Sequence, residues 1–325
     1  MLSYVVRRLL YALPILVGVN LITFVLFFYV NTPDDMARLA LGEKRVTQEA
    51  IDKWKRDKGY DKPRFYNPQA TGLDKFTDTI FFTKSASMFA LDFGKADDGR
   101  DIGQEIRIRM GPSLAIAIPT FVLGLACYVT FALILALFRA TCVDFAGVVL
   151  CVIAMSVSGL FYIIGGQYLV AKLWNLVPIS GYADGLNAWR FVALPVAIGV
   201  IGGIGSSTRW YRTIFLEEIG KDYVRTARAK GLSEAQVLVG HVLRNALIPI
   251  LTGVVVVIPL LFLGSLLMES FFAVPGLGSY TIEAINNQDY SVVRAMVFLG
   301  AVLYVLGLIL TDVSYTWVDP RVRLD

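Results

Sequence analysis

Six separated apolar stretches, at about 9–30, 113–138, 146–172, 190–208, 247–269 and 291–312, constrain this chain more than any other feature. A helix needs about 20 mostly apolar residues to cross a hydrocarbon core roughly 30 Å thick, and each stretch is long enough. Each also ends in charges or turn residues, so the six read as separate membrane helices. The balance of the 325 residues agrees: 56% are hydrophobic and only 17% charged. Soluble domains carry nearer roughly a quarter charged residues. The expected fold is therefore an all-α integral membrane protein.

Arg7 and Arg8 precede the first stretch, as they would in a signal peptide. Leu9 to Val30 is too long for such a segment, however, and Tyr29-Val30-Asn31 offers no small-residue cleavage pattern. A retained span is expected. Orientation follows from lysine and arginine in short loops. Arg7, Arg8, Arg139, the cluster from Arg209 to Arg244, Arg321 and Arg323 fall on one side, whereas 173–189 and 270–290 hold no lysine or arginine. Both termini and the 209–246 loop are thus expected in the cytoplasm. The expected layout is 1–30 as N-terminus and first span, 31–112 as an extracytoplasmic layer, 113–314 as a five-helix core, and 315–325 as a cytoplasmic tail.

Between their ends the six stretches contain no Asp, Glu, Lys, Arg or His; Glu269, Arg294 and Asp312 are expected near an interface. Ionisable groups inside a membrane are expensive and mark proton relays, ion sites or voltage sensors. Their absence argues against a proton-coupled carrier, a voltage-gated channel or a redox enzyme. The polar residues that remain are mild: Asn20, Thr23, Thr120, Thr130, Ser156, Ser158, Gln167, Ser206, Thr252 and Ser265. They can serve helix packing or line a pathway. Gly199, Gly202, Gly203 and Gly205 form a small-residue stretch suited to close helix approach, within the subunit or across a dimer axis. Pro14, Pro119, Pro195 and Pro259 are expected to kink their spans. Cys127, Cys142 and Cys151 read as small buried hydrophobes, and the lone His241 has no partner for a metal ion.

The most specific segment runs from Asp222 to Gln236. A helix continuing from the fourth span should stop at Gly231, which suits the left-handed position after a helix. Ser233 can cap the next helix, with Gln236 completing a capping box. The second helix then runs through Val237, Leu238, His241, Val242 and Asn245 toward Pro249. Such a corner offers a short, rigid, basic helix pair, fit either for docking a cytoplasmic partner or for plain connection.

This segment resembles the EAA loop of binding-protein-dependent ABC importer permeases, in the dipeptide/oligopeptide subfamily. Arg225-Thr226-Ala227 stands at the Glu-Ala-Ala triplet and Gly231 at the glycine that follows. The run His241 to Pro249, the ending Asp319-Pro320-Arg321 and the paired arginines before the first span are similar to the same subfamily. So are Glu269-Ser270-Phe271-Phe272, Pro275-Gly276-Leu277-Gly278 and Asp289-Tyr290. Arginine stands where glutamate names the motif, and the proline lies further downstream than in the general pattern. Segments 59–63 and 91–94 match only loosely.

The resemblance implies six helices of the type I importer kind, with a long extracytoplasmic loop after the first. It implies a multi-pass subunit of the bacterial inner membrane that imports di- or oligopeptides by alternating access. Nickel chelates, glutathione and oligosaccharides are alternative substrates. Its partners would be a second permease, more in keeping with a heterodimer than a homodimer, two ATP-binding cassette subunits and an extracytoplasmic solute-binding protein, with no nucleic acid. The ATPase-coupling loop would comprise Arg225, Thr226, Ala227, Lys230, Gly231, Leu232, Ser233 and Glu234. Glu269, Pro275, Gly276 and Gly278 would form the outer gate.

The chain lacks the means to hydrolyse ATP itself. A P-loop needs a glycine, four residues, then Gly-Lys-Ser/Thr. Gly94-Lys95 and Gly220-Lys221 are followed by Ala96 and Asp222, with Phe89 and Phe215 at the first-glycine positions. ATP and magnesium are therefore expected on separate subunits, and no cofactor in this one. The competing classes are a channel or carrier without ATPase partners, and a non-transporting membrane scaffold.

Overall fold

The computed structural model describes residues 2–42, 46–183 and 185–318. The Asp319-Pro320-Arg321 ending and Arg323 lie outside the described residues. The described residues form no strand, only an isolated bridge between Lys95 and Asp101. The helices, in chain order, are α1 (Leu2–Val25, prolonged by a π turn Leu26–Val30), α2 (Pro33–Leu41), α3 (Gln48–Lys58), α4 (Asp74–Thr77) and α5 (Ile80–Lys84). A 3-10 turn (Ala86–Ala90) leads to α6 (Ile102–Leu137), α7 (Cys142–Ser156), α8 (Gly159–Gly166, prolonged to Leu173 by a π turn) and α9 (Ala188–Ile219). Then come α10 (Asp222–Ala229), α11 (Glu234–Val237), a π turn (Leu238–Val242), α12 (Leu243–Leu260), α13 (Leu266–Phe271), α14 (Leu277–Asn286) and α15 (Tyr290–Val318).

Among the described residues, five helical runs are long and apolar enough to cross a membrane: Leu10–Val30, Ile102–Leu137, Ala188–Ile219, Glu234–Phe271 and Tyr290–Ser314. A sixth is reached if α7 and α8 count as one span. The stretch expected as one helix over 146–172 is bent by 87° between them. Val157 and Ser158 are extended there, between the end of α7 at Ser156 and the start of α8 at Gly159. Apolar length cannot register such a break. The Tyr162 hydroxyl donates to the Ala154 carbonyl at 2.9 Å, engaging an acceptor near the end of α7.

Contacts divide the chain into two compact units. One comprises residues 1–108 and 281–306. Its core is aromatic: Phe24 and Phe28 of α1 are buried with Met36, Tyr60 and Ile80, and Phe24 packs edge-on to Phe81 at 5.2 Å between ring centroids. The charged segment after α1 is therefore folded rather than strung out. Thr32 and Asp35 cap α2 reciprocally, and Gly59 ends α3 at φ +70°. Polar ties run through Ser85: Asn20 donates to its carbonyl at 3.1 Å and Arg294 to its hydroxyl at 2.8 Å.

The other unit comprises residues 109–280 and the chain from 307 onward. Its packing explains the glycines of α9. An added Cβ would lie 2.6 Å from the Thr120 methyl at Gly199, and 2.3 Å from the Tyr128 hydroxyl at Gly203. At Gly205 it would lie 2.5 Å from the Cys151 carbonyl oxygen. These three admit α6 and α7 of the same chain, whereas Gly202 faces open space. The Asp144 carboxylate and the Arg212 guanidinium form a two-pronged pair at 2.8 and 2.7 Å, tying α7 to α9. Only Cys151 is buried; Cys127 and Cys142 are exposed on the chain, against the expectation that all three fill the core. Apolar sequence context does not separate a core-facing from an outward-facing cysteine.

Candidate functional site

The segment from Gly220 to Asn245 is the first candidate. The expected continuous helix from the fourth span to Gly231 is interrupted: α9 ends at Ile219, and α10 starts afresh after Gly220 and Lys221. Glu218 secures this break. Lys221 pairs with one of its oxygens, and the Tyr223 hydroxyl donates to the other at 2.5 Å. Burial, and after it the hydrogen bond to Glu218, pushes the Tyr223 phenol up to about 12. Tyr223 therefore stays a neutral donor.

α10 has a short apolar face. Val224 and Ala227 are buried in one core with Ala132 and Ala136 of α6, Phe215 and Ile219 of α9, and Val237, Leu238, Val242, Ala246 and Ile250 beyond the corner. After α10 the chain turns at Gly231, whose φ of +80° is in the region open to glycine. The next helix starts on a capping box: Ser233 N–H donates to Gln236 Oε1 at 3.0 Å, and Gln236 N–H to Ser233 Oγ. Arg228 bridges the two helices, donating to Glu234 from Nε at 2.7 Å and from Nη2 at 3.1 Å.

Of the residues singled out from sequence, Arg225, Thr226, Lys230, Gly231, Leu232, Ser233 and Glu234 are on the outer side of this corner, exposed. Leu232 is an apolar side chain 37% exposed there. Ala227 points the other way, into the chain's own core. Sequence reasoning missed Arg228 and Glu218. Their signal was charge spacing alone, which many surface helices share.

The second candidate surrounds Glu269. This side chain, expected near an interface, is 1% exposed. Its carboxylate accepts from Ser265 N–H at 3.0 Å, Gly278 N–H at 2.7 Å and Ser279 N–H at 3.1 Å, and the Ser113 hydroxyl bonds it too. Charge-assisted bonds from several donors replace the water lost on burial. Gly276 and Gly278 are buried in this bracket, while Pro275 is exposed. Gly264, at φ +71°, breaks the helix between α12 and α13, and Ser265 then caps α13.

Next to this bracket is a cavity of about 470 Å³ whose polar lining includes Thr120, Tyr128, Ser207, Tyr211, Ser265 and Glu269. Tyr128 donates to the Val200 carbonyl at 2.8 Å, whereas the buried Thr120 hydroxyl has no partner. Apart from Glu269 the lining carries no charge. Several other polar residues noted in the spans serve the backbone: Ser156, Ser206 and Thr252 each donate to a carbonyl on their own helix. Gln167 donates to the carbonyls of Ile179 and Phe271.

The chain is similar to known proteins over most of its length. Residues 108–324 match the binding-protein-dependent transport system inner membrane component, and residues 1–92 match the N-terminal region of such membrane components. The chain is 28% identical to the dipeptide transport system permease protein DppB of Escherichia coli K12, with 99% of each chain covered. It is 29% identical to the oligopeptide transport system permease protein AppB of Bacillus subtilis 168, over 99% of this chain and all of the relative. With apolar helical runs, an exposed capped corner and a family match over most of its length, this chain belongs to the binding-protein-dependent transport system inner membrane components, the non-catalytic permease subunits of ABC transporters.

Proposed function

We propose that this subunit forms half of the translocation path of an ATP-driven importer of di- and oligopeptides, and that the corner at Gly231 is where a separate ATPase subunit grips it. The carrying observation is the outer face of the corner: Arg225, Thr226, Lys230, Leu232, Ser233 and Glu234 are exposed on a backbone fixed by a capping box and the Arg228–Glu234 pair. Ala227 contributes by seating α10. Closure of two ATPase subunits rocks the helices between inward- and outward-facing states, with a second, different permease completing the channel. α7 and α8 together make the sixth span.

In this reading the segment 31–112 faces the exterior, where a solute-binding protein delivers substrate, and both termini face the cytoplasm. The Glu269 bracket holds the turn from Pro275 to Gly278 as part of the outer gate. Apart from Glu269, whose carboxylate is taken up by the bracket, the cavity lining offers the uncharged hydroxyls of Thr120, Tyr128, Ser207 and Tyr211, which suit the amide groups of a peptide. The names of the dipeptide and oligopeptide relatives support the same substrate class.

Leu232→Asp tests the reading, because Leu232 is exposed and the change leaves the core of α10 intact. ATP-binding subunits should co-purify with the unaltered protein and be lost from the variant, and peptide uptake should fall with them. Undiminished co-purification and uptake would overturn it.

A further inference from the structure

Arg294 in α15 is 3% exposed and has no carboxylate partner among the described residues. Both of its hydrogen bonds leave from Nη2, to the Lys84 carbonyl at 2.9 Å and the Ser85 hydroxyl at 2.8 Å. Its guanidinium carbon is 4.9 Å from the centre of the Phe28 ring. These partners are neutral. A buried cation is costly unless an opposite charge or a full set of acceptors accompanies it, and here Nε and Nη1 have neither.

Arg294 lines a small pocket of about 80 Å³ with Thr83, Lys84, Ser87, Lys95 and Ser291. Lys84, half-buried, is a second cation without an ion-pair partner among the described residues. Burial, and behind it the charge of Arg294, holds its ammonium below the usual lysine range. One acid, Asp92, also lines the pocket, with its Oδ1 accepting Gly94 N–H at 3.1 Å. The nearby Asp97 is paired with Lys58, and Asp289 accepts from Asp97 N–H at 2.7 Å and from Val292 N–H at 3.2 Å. Three cations thus face one acid, in a space that holds a single small group.

We infer that this pocket is a carboxylate site, in which Arg294 and Lys84 receive one carboxylate group with Ser87 and Ser291 beside them. The guanidinium supplies a planar fork to a planar anion, and Lys84 a point charge. The group has two sources: the C-terminus of a peptide, or an acidic side chain on a docking protein. The inference stands on this pocket alone and does not depend on peptide import.

The test uses the full chain with its co-purifying subunits in nanodiscs of zwitterionic lipid. Sodium acetate replaces sodium chloride at constant ionic strength, and the thermal unfolding midpoint is followed. The wild type should show a saturable rise of about 2 °C at ten times the half-saturating acetate concentration. Lys84→Met and Arg294→Gln should lose it, and Lys53→Met, an exposed control, should keep it. Should Arg294→Gln fail to fold, Lys84→Met alone decides. No rise beyond chloride, or an equal rise in Lys84→Met, overturns the site. Trialanine with a free C-terminus, set against its amide, identifies the source. Displacement of acetate by the free acid alone assigns the site to peptide termini, and acetate binding without displacement assigns it to an acidic side chain.

Discussion

Glu269 and Gly276 are fitted to one another: a Cβ on Gly276 would lie 2.2 Å from Glu269 Oε2, the oxygen that accepts the Gly278 and Ser279 N–H groups. The carboxylate occupies the space a side chain would take and stitches the turn to the start of α13. Glu269→Gln keeps the shape but leaves one accepting oxygen and sets an NH2 against a backbone N–H donor, so it should cost about 2 kcal/mol in unfolding free energy. Gly276→Ala should destabilise comparably by displacing the carboxylate. The double variant should then cost less than the sum, read from midpoints in a double-mutant cycle.

Gly231 separates backbone strain from crowding. An added Cβ there meets nothing within 4 Å, so its φ of +80° is the whole obstacle. A side chain in left-handed geometry costs about 1–2 kcal/mol, and asparagine tolerates it better than most. If the corner is the ATPase grip proposed above, transport-coupled ATP hydrolysis should survive Gly231→Asn and be impaired in Gly231→Val. Equal loss in both would point to a glycine-specific contact instead.

The Asp144–Arg212 pair should show the asymmetry of ion pairs removed from water. Arg212→Met leaves an uncompensated carboxylate and should destabilise by about 3 kcal/mol, whereas Asp144→Asn with Arg212→Met should recover much of the loss. Arg212→Lys should rescue poorly, because an ammonium cannot reproduce the paired bonds from Nε and Nη2. Thermal unfolding of the four proteins decides it.

Within the glycine run of α9, neighbouring positions should respond differently. Gly202→Ala should be neutral or slightly stabilising, with nothing within 4 Å of the new methyl. Gly205→Ala drives its methyl to 2.5 Å from the Cys151 carbonyl and should cost about 1–3 kcal/mol through overpacking. Midpoints of the two single variants suffice.

These contrasts mark what sequence could reveal. The corner was readable because its determinants are local: Gly231, Ser233 and Gln236 act on backbone within a few residues of themselves. The break at Gly220 escaped notice because the Glu218 contacts that hold it resemble ordinary surface charges. Glu269 was picked out with its turn, but its donors come from Ser113, Ser265, Gly278 and Ser279, and no local pattern announces a partner more than 150 residues away. The apolar runs gave the helices and said nothing of the 87° bend, since hydropathy measures length in lipid and not direction.

Because Val224 and Ala227 share one core with α6, α9 and α12, α10 does not hang from the end of α9 like a hook. It sits as a shoe across the feet of several helices. In the proposed reading, a load applied to its outer side would bear on Ala132 and Ala136 of α6 and Ala246 and Ile250 of α12 together, and not on the end of α9 alone.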